Sequence, residues 1–371
     1  MKEKKTVLIS FLGNINYDSR CLNLYHSLSD DFDVEFMGFD WTTRNFSSQK
    51  GKITIKKLHK GRISLIYYLI FGTLLKLKLF FSKYCIYFAE DLYTLPLVTI
   101  FGKIKGGKII YDSREIFGHL AGLNKKKIVQ SLIKSIEKFF IKKVDVVIVT
   151  GEMDKEYLIK EYQLDNIIVV RNLPIYSKPG ESFDFRKKFN ISASKKILIY
   201  QGMIHHGRGI KIIFELLQKN DNYIFVILGE GAQKDYFQNL AKEMGIEQKV
   251  IFFGRVPQNE LLRYTKGGDV GLSLIENISL SYFYALPNKL FEYIMAEIPC
   301  VVSNLPQMEN IIKKYKVGLS IPQDNVEELN SSLEYIFQNE NLYKELVQNC
   351  KEASSELNWD KEIEKLLDVL R

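Results

Sequence analysis

The sequence predicts an α/β fold of two doubly wound parallel-sheet domains, and three observations predict it. Its 371 residues exceed one ordinary domain and suit two. Apolar, β-branched runs alternate with helical patterns from end to end, which implies parallel sheets covered by helices on both faces. A polar stretch at 172–194, with Pro174, Pro179 and Gly180, divides the series in two.

The first half offers strands near 5–12, 33–39, 52–57, 84–89, 107–112 and 144–149. The second offers 196–201, 222–228, 249–253, 269–274, 299–303 and 317–321. Helical patterns fall at 19–29, 128–142, 210–219, 233–244, 287–296 and 326–338, with a last helix at 360–370 after Trp359. The domains are therefore expected at 1–172 and 185–357, with 358–371 able to pack back on the first.

Composition narrows the function. The basic start at Lys2, Lys4 and Lys5 runs straight into a strand pattern, so no signal peptide is expected. Cys21, Cys85, Cys300 and Cys350 follow no metal spacing, and a reduced cytoplasmic setting is expected. Net charge is +8, carried by the first half: residues 1–172 hold 28 Lys and Arg against 18 Asp and Glu. Between Trp41 and Ala89 lie ten basic residues and no acidic one. Such a field attracts an anionic partner. The aromatic residues form no stacking pattern, which argues against nucleic acid.

An anionic membrane surface is the expected partner, because 62–83 is the most apolar stretch of the chain. Its longest charge-free run, 63–75, has 13 residues, while spanning a bilayer takes about 20. A helix that dips into the membrane interface fits, as does a buried helix with snorkelling Lys76 and Lys78.

Three segments of the second half carry chemistry. In the first, Gly202 to Gly209, a strand ends in a glycine-rich turn. Its free N–H groups, the following helix start and Arg208 suit a diphosphate. In the second, Pro287 fits the first position of a helix, which puts Lys289 in the first turn. A cation is unfavourable there unless an anion is near. Glu292 follows three residues later on the same face, placed to accept from ribose hydroxyls. The third segment is a pair of strand-end turns, Gly229-Glu230-Gly231 and Gly254-Arg255-Val256-Pro257. Ligands collect outside the carboxyl ends of the strands of a parallel sheet.

These residues, in this order, resemble the nucleotide-sugar domain of the GT-B glycosyltransferases of family 4. The Pro-Asn-Lys-x-x-Glu-Tyr run at 287–293 is the most specific part. The first half resembles the family too, through Tyr17-Asp18-Ser19-Arg20, the 88–96 segment with Asp91, and Tyr111-Asp112-Ser113-Arg114-Glu115. The resemblance implies two Rossmann-like domains facing across a cleft, and retaining transfer. No metal, no other cofactor and no dedicated side-chain base are required.

Carried over residue by residue, it implies that Arg208 and Lys289 bind the donor diphosphate and Glu292 the ribose. Arg255 and Val256 would lie by the base. Gly202, Gly229, Glu230, Pro287, Asn288 and Leu290 would line the donor site. Gly13 and Asn14 would approach the phosphates from the first domain. Asp18, Arg20, Asp91, Arg114 and Glu115 would face the acceptor. Three positions depart from the family pattern. Tyr284 stands where many members have a first glutamate, Met203 where many have an arginine, and Arg114 where a histidine is frequent.

Three other signals are set aside. Asp31-Phe32-Asp33 has the form of a metal-binding motif but lies in a loop before the second strand. His205 and His206 are chain neighbours, which rarely ligate one metal together. Lys125 to Lys127 reads as a solvated helix start.

The expected function is sugar transfer from a nucleoside-diphosphate sugar, with UDP preferred. The acceptor would be a saccharide or lipid-linked saccharide at the inner face of the cytoplasmic membrane, in surface polysaccharide or glycan assembly. The alternatives are a nucleotide-sugar epimerase and a catalytically degenerate partner or activator of another transferase.

Overall fold

A computed structural model describes residues 4–40, 52–57, 64–178 and 180–371. Arg44, Lys50, Lys60 and Arg62 of the basic stretch, and Pro179, lie outside the described residues. The chain divides into two compact units, Met1–Arg171 with Glu362–Arg371, and Asn172–Lys361.

The first unit holds seven strands: β1 (Thr6–Phe11), β2 (Asp33–Asp40), β3 (Ile53–Lys57), β4 (Ile86–Ala89), β5 (Lys108–Ser113), β6 (Val146–Val149) and β7 (Ile167–Val169). They pair in the order β3-β2-β1-β4-β5-β6-β7, all parallel. The second unit holds β8 (Lys196–Gln201), β9 (Tyr223–Leu228), β10 (Val250–Gly254), β11 (Val270–Ser273), β12 (Cys300–Ser303) and β13 (Gly318–Ile321). Their order is β10-β9-β8-β11-β12-β13, again all parallel. β4, β6, β11 and β12 are buried along their whole length, which is why they read as unbroken apolar runs rather than alternating ones.

Several elements differ from expectation: β6 starts at Val146 rather than near 144, and the expected last helix at 360–370 is two, Trp359–Glu362 and Glu364–Leu370. β4 starts at Ile86 rather than near residue 84, because the Tyr84 amide donates to the Tyr87 hydroxyl at 2.9 Å and its own hydroxyl donates to Glu35. β7, with three residues, is too short to leave a periodic signal.

The second unit begins at Asn172 and runs to Lys361, against 185 and 357 in the sequence reading. The connecting stretch is folded onto it. Leu173 is buried, Trp359 N–H donates to the Pro174 carbonyl (2.8 Å), and Phe183 stacks on Tyr264 at 4.6 Å. The chain then returns to the first unit. Arg171 holds Glu362 at 2.8 Å, Lys108 Nζ donates to the Val369 carbonyl at 2.6 Å, and Arg371 meets Asp31 at 3.0 Å. Asp31 of the Asp-x-Asp stretch is thus ion-paired, and Phe32 is buried.

The apolar stretch forms the helix Ser64–Phe81. Its inner row, Tyr67, Phe71, Leu75 and Leu79, repeats every four residues and enters the first unit's core. Lys78 turns inward to Glu35 instead of outward, at 2.5 Å. Among the described residues, no helix is long and apolar enough to cross a membrane.

Candidate functional site

In the second sheet the strand order reverses between β8 and β11, and such a reversal opens a crevice at the carboxyl ends. The loops leaving these strands and β9 meet there. Beyond Gln201 the backbone passes through positive φ at Gly202 (124°), Gly207 (80°) and Gly209 (71°) before the helix Ile210–Lys219 starts. A side chain is strained at all three, and at Gly207 and Gly209 it also lacks the space. A Cβ on Gly209 would sit 2.1 Å from the Leu274 carbonyl oxygen, just beyond β11. A Cβ on Gly229 would sit 1.9 Å from the Gly202 carbonyl oxygen, so the β8 and β9 exits touch through backbone. Ile204 N–H donates to the Glu230 carbonyl at 3.0 Å and closes the contact. The Tyr200 hydroxyl donates to the Met203 carbonyl at 2.7 Å and pins the turn from below. Met203 itself is exposed.

The helix Asn288–Met295 faces this turn. Pro287 stands one residue before it, not at its first position: its backbone is extended and its carbonyl takes the first bond, from Leu290 N–H (3.1 Å). Lys289 is buried, its Nζ lies 3.7 Å from the centroid of the Tyr200 ring, and a Cβ on Gly202 would be 3.7 Å from that nitrogen. No carboxylate lies within 4 Å of it among the described residues. Burial, and after it the like charge of Arg208, push the Lys289 ammonium well below its ordinary range, with Glu292 pulling the other way. The Arg208 guanidinium sits 5.0 Å over the Tyr282 ring.

One turn along, Glu292 is half-buried. The Gln201 amide donates to one of its oxygens and the Gln258 amide to the other at 3.4 Å. Thr265 in turn donates to the Gln201 carbonyl oxygen at 2.6 Å, which fixes which way the amide points. Burial raises the Glu292 carboxyl above its usual range, while the two amides and Lys289 oppose the rise. Two cations in a partly dry crevice, with their nearest partners aromatic faces, are incomplete without an anion.

The other expected donor residues divide into two groups. Glu230 leaves β9, forms an ion pair with Lys234 at 2.7 Å, and its Oε1 would be 3.4 Å from a Cβ on Gly254. Arg255 is exposed, and Val256 packs against the second unit's core. Asn288 is half-buried, whereas Leu290 is wholly buried core and its N–H is already bonded to Pro287. Leu290 therefore holds the helix rather than presenting a group to the crevice. Gln201, Gln258, Thr265, Tyr200 and Tyr282 were not anticipated. Only Gln201, beside the glycine turn at the strand end, carried a positional signal.

In the first unit the order reverses between β1 and β4, and a charged cluster sits at that edge. Arg114 meets Asp18 at 2.7 Å and Glu90 at 2.8 Å, and its guanidinium lies 4.7 Å over the Phe11 ring. Asp18 also caps the helix Ser19–Asp31 by accepting from Cys21 N–H. Two expected acceptor residues are turned inward. Arg20, buried, forms two bonds to Asp112 (2.5 and 3.0 Å) and one to the Val170 carbonyl. Asp91, buried, accepts from Leu12 N–H and Thr94 N–H. Gly13 lies against the Phe11 ring and its carbonyl accepts from Phe39 N–H, while Asn14 caps the turn Ile15–Tyr17. Glu115 is exposed.

Glu90 is wholly buried, with Asp112, Arg114 and Arg20 around it. Burial, then the Asp112 charge, raise it to about 7 against the pull of Arg114 and Arg20. A raised carboxyl favours folding below its ordinary pKa, and that contribution is lost as pH climbs from 4.5 to about 7. Glu90→Gln is therefore expected to raise the melting temperature at pH 8 more than at pH 5. Thermal unfolding at both values checks this, and an equal drop at both would contradict it.

Two parallel α/β sheets, the second with a basic, glycine-turned crevice where its strand order reverses, define the GT-B fold. Sucrose-phosphate synthase from Thermosynechococcus elongatus superposes with a TM-score of 0.79 at 13% identity, covering 99% of this chain and 98% of that one. The Anabaena HepE protein in complex with UDP-glucose superposes at 0.73 with 12% identity, covering 99% of both chains. Residues 181–353, within the second unit, match the family model of the glycosyl transferases group 1. A Campylobacter jejuni alpha-1,4-N-acetyl-D-galactosaminyltransferase, named for an undecaprenol-linked saccharide, is 29% identical over 216 residues, 56% of this chain and 55% of that protein. The matched part of the chain spans 48% to 65% of the length of the first curated relatives.

Proposed function

We propose that this chain is a metal-independent, retaining glycosyltransferase that uses a nucleoside-diphosphate sugar, with UDP as the preferred nucleotide. The observation that carries the reading is the meeting of Arg208, Lys289 and Glu292 at one strand reversal, with the two cations set against rings rather than carboxylates. HepE is described in complex with UDP and with UDP-glucose, which supports the choice of nucleotide. As the sugar leaves, negative charge grows on the diphosphate, and Lys289, Arg208 and the amides of the glycine turn stabilise it. Glu292, held by Gln201 and Gln258, accepts from the ribose hydroxyls. The acceptor hydroxyl delivers its proton to a donor phosphate oxygen, so no side-chain base is needed. Arg255 and Val256 flank the base.

The acceptor is a saccharide or lipid-linked saccharide presented at the inner face of the cytoplasmic membrane; the undecaprenol-linked saccharide in the name of the Campylobacter relative supports the lipid-linked kind. Asp18, Arg114 and Glu115 are the side chains of the first unit assigned to it. Arg20 and Asp91 keep that edge in shape.

The test is calorimetric titration with UDP-, GDP- and dTDP-sugars, with and without chelator. UDP-sugars should bind best, equally well with chelator present. No binding of any nucleotide would remove the proposal. A diphosphate favours charged Lys289, so binding above that group's depressed pKa should take up a proton, and affinity should fall as pH rises through it. On the acid side affinity should fall as pH drops through the raised pKa of Glu292, because ribose hydroxyls donate to the ionised form. Titration in two buffers of different ionisation enthalpy reads the proton directly.

A further inference from the structure

Three helices, Ser64–Phe81, Leu95–Lys105 and Lys127–Ile141, lie side by side on one face of the first sheet. Each sends one apolar row inward and another outward. On the outer surface Phe81 is 78% exposed, Ile104 73% and Ile128 87%, with Leu69, Leu132 and Phe139 each more than half exposed. Exposed apolar residues scattered singly are ordinary, but a patch running over three adjacent helices is not.

The charge pattern on the same helices decides what covers them. They carry seven lysines and one carboxylate. That carboxylate, Glu137, is buried and accepts from the Tyr111 and Tyr162 hydroxyls at 2.8 Å, so it adds nothing to the outer face. Lys78, Lys103 and Lys134 pair with Glu35, Asp145 and Glu161. Lys76, Lys127 and Lys138 have no carboxylate partner among the described residues. A second copy of the chain would set lysine against lysine. Acyl chains accept the apolar rows, and anionic headgroups accept the ammonium groups.

We infer that this three-helix face docks on an anionic phospholipid bilayer, in the plane of the headgroups and without crossing it. The inference rests on the membrane-presented acceptor proposed above and extends it from one helix to three. The helix Lys127–Ile141 is its outermost reporter, since Ile128, Leu132, Ile136 and Phe139 recur every three to four residues on one side.

Co-sedimentation of the full chain with phosphatidylglycerol vesicles and with phosphatidylcholine vesicles tests it. Binding is expected to the anionic vesicles, about tenfold weaker to the zwitterionic ones, and reduced by salt. Ile128→Glu with Leu132→Glu should weaken binding about tenfold again, and both sites are exposed enough to leave the fold intact. UDP titration of the same variant should be unchanged, which separates loss of docking from loss of the donor site. Equal binding to both vesicle types, unaltered binding by the variant, or a dimer that the variant dissociates would each overturn the inference.

Discussion

Lys289→Ala is expected to lower kcat/KM for transfer by about 10²–10³-fold, roughly 2.7–4 kcal/mol, while leaving the fold intact. The ammonium lies in a crevice of low polarity beside a ring, with Arg208 near it. It is the cation most changed by a diphosphate, which supplies the charge its surroundings lack. The same reasoning gives an opposite sign for stability. A lysine whose pKa is depressed on folding binds its proton less well folded than unfolded. It therefore costs stability at every pH below its unfolded value. Lys289→Met keeps the length of the side chain and removes the charge, so it should raise the unfolding temperature, by on the order of 1 kcal/mol of stability, while losing transfer as fully as the alanine variant. A melting curve and a donor-saturation curve on both variants make the comparison. Full transfer with an unaltered donor KM in either would refute the role assigned to Lys289.

The second large effect is expected from Gly209→Ala. The residue has φ of 71°, and its added methyl group would overlap the Leu274 carbonyl oxygen at 2.1 Å. Left-handed strain costs roughly 1–3 kcal/mol, and overpacking a similar amount. Together they should lower the melting temperature by on the order of 10 °C, given ~2–4 °C per kcal/mol for a unit of this size. Because the glycine ends the turn that carries Arg208, the loss should extend to UDP affinity. Gly245→Ala is the control: it also has positive φ, 68°, but no atom lies within 4 Å of its Cβ position. It should show the strain without the overlap and leave UDP affinity alone. Equal loss of UDP affinity in the two variants would show that backbone strain, not the contact with Leu274, is what matters.

The parts of this fold that were legible in sequence were those with a periodic or sterically forced signature. Wholly buried strands such as Val146–Val149 declare themselves as apolar runs, and the glycines at 207 and 209 mark turns that only glycine takes without strain. Lys289 stood out because it broke a local rule for helix starts. What was not legible depends on contacts between distant residues. The Thr265–Gln201–Glu292 relay joins three elements and has no spacing of its own. Arg20 and Asp91 looked available because a polar residue at a strand or helix end gives no sign that Asp112 or two backbone amides will claim it. The helix Lys127–Ile141 was foreseen as a helix, but periodicity does not say which apolar row meets the core, so its outer row stayed hidden.

The return of residues 362–371 to the first unit has a consequence for biosynthesis. Everything from Asn172 to Lys361 is one unbroken span, so that unit holds all its own parts before residue 362 leaves the ribosome. The first unit, though translated earlier, must wait for the segment that brings Glu362 to Arg171 and Arg371 to Asp31. Order of synthesis and order of completion are therefore reversed. A nascent chain stalled at residue 361 would expose the apolar flank that Leu366, Leu367 and Leu370 normally cover, a natural target for chaperones.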